Sequence, residues 1–181
     1  MIEVEIKARV LDRGAVAARL RDLGAKLIRR EYHVDVYLSH PSRDFKSTDE
    51  ALRLRIVNGE GVLTYKGPRI FRDVKARVEI NVRVEPWEKM LDLLKSLGFT
   101  EFLRVEKERE VYTYGFYTIN LDSVKGLGNF IEIETETNDV SAVEAIKSEM
   151  IKLLTKLGIG TDDIVEETYL ELMLKRRGIE H

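Results

Sequence analysis

The 181-residue chain carries 30 Lys and Arg against 32 Asp and Glu, a net charge of −2, so nonspecific attraction to a nucleic-acid backbone does not organise it. Hydrophobic residues make up 44% and charged ones 34%, enough apolar material for one sizeable core and too much for a disordered chain. Cysteine is absent, which excludes disulfides, thiolate metal sites and cysteine nucleophiles and fits a reducing cytoplasm. No stretch is long and apolar enough for a signal peptide or a membrane span.

Residues 2–10 alternate charged and apolar side chains and predict a strand. Asp12 can cap the helix that follows, Val16, Leu20 and Leu23 share one helical face, and Gly24 supplies a left-handed stop. The plan recurs 74 positions on, where Val4, Glu5, Ile6, Arg9 and Val10 return as Val78, Glu79, Ile80, Arg83 and Val84, and Leu20, Leu23 and Gly24 return as Leu94, Leu97 and Gly98. A third, looser copy has a strand from Phe130 to Thr137, a capping box at Ser141 and Glu144, and a buried stripe of Ile146, Met150, Leu153 and Leu157 before Gly158.

Between these units, residues 26–38, 51–57, 62–66, 102–114 and 116–122 read as strands, with hairpin turns at Asn58-Gly59 and Tyr114-Gly115. The sheet is expected to be largely antiparallel. No linker breaks the chain, so residues 1–175 read as one domain and 176–181 as a solvated C-terminal tail. Residues 39–50 and 67–75 read as mobile polar loops, the first a candidate flap.

Side chains alternate across a strand, so Glu3, Glu5, Lys7 and Arg9 share one face and Val4, Ile6, Ala8 and Val10 the other. Arg53 with Arg55, Thr64 with Lys66, the set Arg77, Glu79, Asn81 and Arg83, Asn120 with Asp122, and Glu132 with Glu134 and Glu136 behave alike. Lys107 and Arg109 share a mixed face with Leu103, Val105 and Val111. Such a face either lies open to water or curls round on itself, and about eight strands suffice to close a small barrel. In the closed case acids and bases converge, at a desolvation cost of several kcal/mol per ion unless each finds a partner. Basic residues suit a chain of phosphates, and carboxylate oxygens suit Mg²⁺ or Mn²⁺, so the ligand expected of a closed barrel is a metal-bound polyphosphate.

Glu3-Val4-Glu5-Ile6-Lys7 has a Glu-x-Glu-x-Lys form. It stands in order with Asp35-Val36-Tyr37, Leu52-Arg53-Leu54-Arg55, Leu63-Thr64-Tyr65-Lys66-Gly67-Pro68, Arg77-Val78-Glu79, Lys107-Glu108-Arg109, Leu121-Asp122, Gly126-Leu127-Gly128, Phe130-Ile131-Glu132-Ile133-Glu134 and Tyr169-Leu170-Glu171-Leu172. Together these resemble the CYTH family, or triphosphate tunnel metalloenzymes, and within it His33-Val34-Asp35-Val36-Tyr37 through Asp49-Glu50-Ala51-Leu52-Arg53, with Tyr65-Lys66-Gly67-Pro68, is most similar to the class IV adenylyl cyclases.

The resemblance implies an α+β fold, a closed antiparallel β-barrel of about eight strands with helices packed outside. It implies Glu3, Glu5, Asp122, Glu132 and Glu134 as metal ligands, with Mg²⁺ or Mn²⁺ as cofactor. Lys7, Arg53, Arg55, Lys66, Arg77, Lys107, Arg109 and, at the rim, Lys125 would bind the substrate, and Glu3, Glu5 and Lys7 would serve catalysis. Asn81 departs from the pattern, since many relatives carry a carboxylate there. The implied reaction is ATP to cyclic AMP and pyrophosphate. The alternatives are a triphosphatase acting on inorganic, thiamine or nucleoside triphosphate, and a noncatalytic polyphosphate-binding or nucleotide-binding module. The expected partner is a triphosphate-containing small molecule, with no nucleic acid or membrane, and homodimerisation is left open. His33 and His40 are poorly spaced for zinc.

Overall fold

The computed structural model describes residues 2–69 and 77–178, apart from the side chains of Ile2, Arg69 and Arg77. Its strands are β1 (Ile2–Val10), β2 (Lys26–Ser39), β3 (Ala51–Val57), β4 (Glu60–Arg69), β5 (Arg77–Val84), β6 (Thr100–Tyr114), β7 (Tyr117–Val124) and β8 (Gly128–Thr137). The helices are α1 (Arg13–Asp22), α2 (Trp87–Ser96), α3 (Val143–Lys156) and α4 (Tyr169–Arg176). The strands form one eight-stranded sheet in the order β1, β8, β7, β6, β2, β3, β4, β5, and the registered pairings are antiparallel. The α+β expectation is therefore met. By its internal contacts the chain divides into two compact units, Met1–Glu31 with Lys107–Thr168, and Tyr32–Glu106 with Tyr169–His181.

In the first unit, alternation along the strands makes the core. Val4, Ile6, Ala8 and Val10 of β1 join Ile119, Leu121, Ile131 and Ile133 of β7 and β8, under Val16 and Leu20 of α1 and Met150, Leu153, Leu154 and Leu157 of α3. Fully burying each large aliphatic side chain contributes roughly 1.5–3 kcal/mol. Asp12 caps α1 by accepting the Ala15 N–H at 3.0 Å. The predicted Ser141–Glu144 box gives way to another cap, because a 3₁₀ turn at Val140–Ala142 precedes α3 and Asp139 accepts from the Ser141 N–H and hydroxyl at 2.9 and 2.6 Å. The segment after α3 lies along β1, where Ile164 bridges Ala8 and the Val165 N–H donates to the Lys7 carbonyl at 2.9 Å.

In the second unit, Val36 and Leu38 of β2 and Leu52, Leu54 and Ile56 of β3 pack with Val84, Leu91 and Leu94. Asn58 and Gly59 both have positive φ, 50° and 91°, the pattern of a type I′ hairpin turn. Trp87 opens α2 and packs against this core. The repeat overstates burial here: Leu97 is the C-cap of α2 and 62% exposed, and Val78, Ile80 and Val82 of β5 are each more than half exposed. Among the described residues, this cluster draws on β2, β3 and α2 and takes only Val84 from β5, the last strand of the order.

The candidate flap is, as expected, an irregular segment of turns and bends over residues 40–50, and it carries hydrogen bonds of its own. Glu50 accepts from Thr48 at 2.6 Å, from the Tyr65 hydroxyl at 2.5 Å and from the Arg43 guanidinium. His40 Nδ1 accepts the N–H groups of Ser42 and Arg43 at 3.1 and 3.0 Å, and its ring lies 5.1 Å from that of Phe99. The expected loop at 67–75 begins within β4, and its residues 70–75 lie outside the described residues. Helix α4 had no counterpart in the strand and helix pattern. It buries Tyr169, Leu172, Met173 and Leu174 and leaves Lys175 and Arg176 exposed.

Gly61 on β4 tests this packing. An added Cβ would lie 2.5 Å from Trp87 Cβ and 2.9 Å from the Val84 carbonyl oxygen, neither of which can swing away. Gly61→Ala is expected to cost about 1–3 kcal/mol, read as a lower urea midpoint at unchanged slope.

Candidate functional site

The polar face of the first unit is buried. Lys7, Lys107, Arg109, Asp122 and Glu132 are all under one tenth exposed, and Asp122 is 0% exposed. Register explains their meeting: Arg109 on β6 stands opposite Asp122 on β7, and Lys7 on β1 opposite Glu132 on β8. The Arg109 guanidinium forks Asp122 at 2.7 and 2.6 Å and reaches Glu132 at 2.5 Å. Lys7 Nζ lies 3.3 Å from Glu132 and 3.9 Å from Glu5, donates to the Glu167 carbonyl at 3.3 Å, and Lys107 lies 4.0 Å from Asp122. Burial alone would raise the Glu132 carboxyl, but Arg109, Lys7 and Lys107 together hold it well below the usual carboxylate range.

Beside this paired layer sits a different arrangement. Glu3, Glu5 and Glu134 each present a carboxylate oxygen within 4.8 Å of the others. Burial, reinforced by Glu3, Glu132 and Glu5 and opposed by Arg109, pushes Glu134 up to about 7. Three hard oxygen donors in mutual repulsion are a set that a small divalent cation satisfies, and their chemistry fits Mg²⁺ or Mn²⁺. The five candidate metal carboxylates thus fall into two groups: Glu3, Glu5 and Glu134 as the trio, Asp122 and Glu132 facing cations.

The second unit carries expected ligands of its own. Arg55 forks Asp35, its register partner, at 2.6 and 2.7 Å. Lys66 lies 3.4 Å from Glu79, and Asn81 accepts from Thr64 at 2.7 Å while donating to Glu79 at 3.2 Å. Arg53 stands opposite Tyr37, and among the described residues its Nε has no hydrogen-bond partner. Lys125 is exposed in the turn after β7. The side chain of Arg77 lies outside the described residues.

Asn120 was missed as a site residue. It is 2% exposed, stands opposite Glu132 in register, and among the described residues its Nδ2 has no hydrogen-bond partner. Its place two residues before Asp122 on one strand face was the available signal. His33 is buried and His40 is engaged with its own loop, and the acid trio includes neither.

The class so defined is an α+β protein whose antiparallel sheet carries a buried layer of paired acids and bases next to a carboxylate trio. The chain belongs to the CYTH domain family, whose model matches residues 1–169. A Methanocaldococcus jannaschii protein with the provisional name adenylate cyclase is 41% identical over 172 residues, covering 95% of this chain and 98% of that one. A solved Pyrococcus horikoshii structure superposes with a TM-score of 0.84 at 41% identity, covering 97% and 99% of the two chains. A candidate adenylyl cyclase from Hippeastrum, described as having a dominant triphosphatase activity, shares the fold at a TM-score of 0.69 and 20% identity over 99% and 98%.

Two outcomes test this electrostatic reading. Arg109→Met should leave Asp122 and Glu132 undercompensated and destabilise the fold by about 3–5 kcal/mol in urea unfolding. Glu134 retains its proton in the folded state up to about pH 7, whereas the unfolded carboxyl releases it near 4.5, so its contribution to stability falls as pH rises between those values. The loss is at most about 3 kcal/mol. Melting curves from pH 4.5 to 8 should show it in the wild type, Mn²⁺ should offset it at pH 8, and Glu134→Gln should remove both effects.

Proposed function

We propose that the chain is a divalent-metal-dependent enzyme acting on a linear triphosphate in the manner of class IV adenylyl cyclases, converting ATP to cyclic AMP and pyrophosphate. The observation that carries this reading is the buried layer of Lys7, Lys107 and Arg109 beside the Glu3, Glu5 and Glu134 trio. Burying ions of both signs stabilises a fold poorly compared with apolar packing, so a functional reason for the layer is favoured. The names of the M. jannaschii and Hippeastrum proteins support the same substrate class.

In this reading Glu3, Glu5 and Glu134 hold a divalent cation, with Asp122 and Glu132 available to the same chemistry. The cation, when bound, neutralises phosphate charge. Lys7 and Lys107 act as point charges on phosphate oxygens, and Arg109, oriented by its fork to Asp122, offers directional donors. Arg53, Arg55 and Lys66 of the second unit, with Arg77 and Lys125, fill the same binding role by family resemblance. Asn120 adds a neutral donor for a phosphate oxygen. In cyclisation the ribose 3′-oxygen bonds to the α-phosphorus while the bond from that phosphorus to the bridging oxygen breaks. Pyrophosphate leaves, and a carboxylate of the trio, Glu3 in this reading, takes the hydroxyl proton.

Hydrolysis needs the same binding groups with water as nucleophile, and the Hippeastrum protein joins an adenylyl cyclase name to triphosphatase activity. Incubation with ATP and Mg²⁺ or Mn²⁺, with products resolved, separates the readings: cyclic AMP and pyrophosphate for the cyclase, ADP and phosphate for the hydrolase. Glu5→Ala should lower turnover at least a hundredfold. Metal-dependent thermal protection by ATP without turnover would mark a binding module, and neither turnover nor protection would end the proposal.

A further inference from the structure

A groove of about 550 Å³ opens beside the acid trio, where Thr135 to Thr137 of β8 run past the hairpin joining β6 to β7. That volume lies within the range of small-molecule sites, roughly 300–1,000 Å³. Glu3 and Glu134 belong to both the groove and the trio. The rest of its lining is Glu136, three threonines, Phe116, Tyr117 and Ile146, with no Lys or Arg among the lining residues. A phosphate chain would be repelled here, so the groove suits a different part of any ligand whose phosphates sit with Lys7, Lys107 and Arg109.

Phe116 is the telling residue. It occupies the second central position of the hairpin, after Gly115 with φ 58°, and is 95% exposed. The hairpin tip is tied down, since the Thr135 hydroxyl donates to the Phe116 carbonyl at 2.8 Å. An apolar ring held in water beside carboxylates offers a stacking face to a planar ring, and both the ring quadrupole and the carboxylates favour positive charge or amine donors on that ring.

We propose that this groove receives the organic end of a triphosphate ester and selects a planar ring that bears an amine or a positive charge. The proposal rests on the triphosphate reading above and deepens it by naming the ester group.

The test compares tripolyphosphate, ATP and inosine triphosphate, whose ring carries a carbonyl where adenine carries an amine, by competition binding in the presence of Mn²⁺. The wild type is expected to bind ATP about tenfold more tightly than either of the other two. Phe116→Ala should reduce the ratio of ATP to tripolyphosphate affinity about tenfold, in line with the loss of one stacked ring. Glu136→Lys, at an exposed position, should reduce the ratio of ATP to inosine triphosphate affinity. Equal wild-type affinities for the three ligands, or ratios untouched by Phe116→Ala in a variant of unchanged melting temperature, would overturn the groove assignment alone. If even tripolyphosphate fails to bind the wild type, the triphosphate reading falls, and the groove assignment with it.

Discussion

The fork between Arg109 and Asp122 is the interaction on which the polar face depends. Asp122 is 0% exposed, and in place of water a planar guanidinium meets both of its carboxylate oxygens while a lysine stands 4.0 Å away. Glu132 then shares the same guanidinium and binds Lys7, so four strands, β1, β6, β7 and β8, contribute to one charge-compensated layer. Lys7 also stands 3.9 Å from Glu5, whose carboxylate clusters with those of Glu3 and Glu134, and burial with the neighbouring glutamates pushes Glu134 up to about 7. Three carboxylate oxygens that close together are a donor set that could hold a divalent cation.

The opposite face of the same strands performs a different task with the same periodicity. A step of one residue moves from Glu132 to Ile131 or Ile133, and hence from the ionic layer to a core shared with α1 and α3. A slip of one residue in any of these strands would bury charges against helices. The hydrophobic core and the ionic layer therefore specify one register together, and either alone would specify it less tightly. The segment carrying Val165 adds a tie on β1, hydrogen bonding to the backbone of Lys7 itself.

Much of this was legible in the chain. Alternation located every strand within a few residues, Asp12 and Gly24 bounded α1 as expected, and the hairpin at Asn58-Gly59 followed from residues that tolerate positive φ. What was misread shares a cause. Among the described residues, Leu97, Val78, Ile80 and Val82 have the right periodicity for burial yet are more than half exposed, and coverage is not a property of periodicity. The loop reading of residues 39–50 agrees with the turns and bends found over 40–50, but the meeting of Glu50 with Arg43, Thr48 and Tyr65 was not legible, because only folding brings them together. Asn120 lacked a charge to draw notice, and Phe116 lay in a turn where an aromatic residue carries no helical or strand signal.

The order of residues by itself determined which side chains share a strand face, because the pleat alternates strictly and needs no knowledge of neighbours. It thereby determined that acids and bases of several strands would lie on common faces, with apolar partners behind them. Only the tertiary structure decided how those ions divide. Cross-strand register places Arg109 against Asp122 and Lys7 against Glu132 while leaving three glutamates clustered, and pairing between strands far apart in the chain depends on distances that no local pattern encodes.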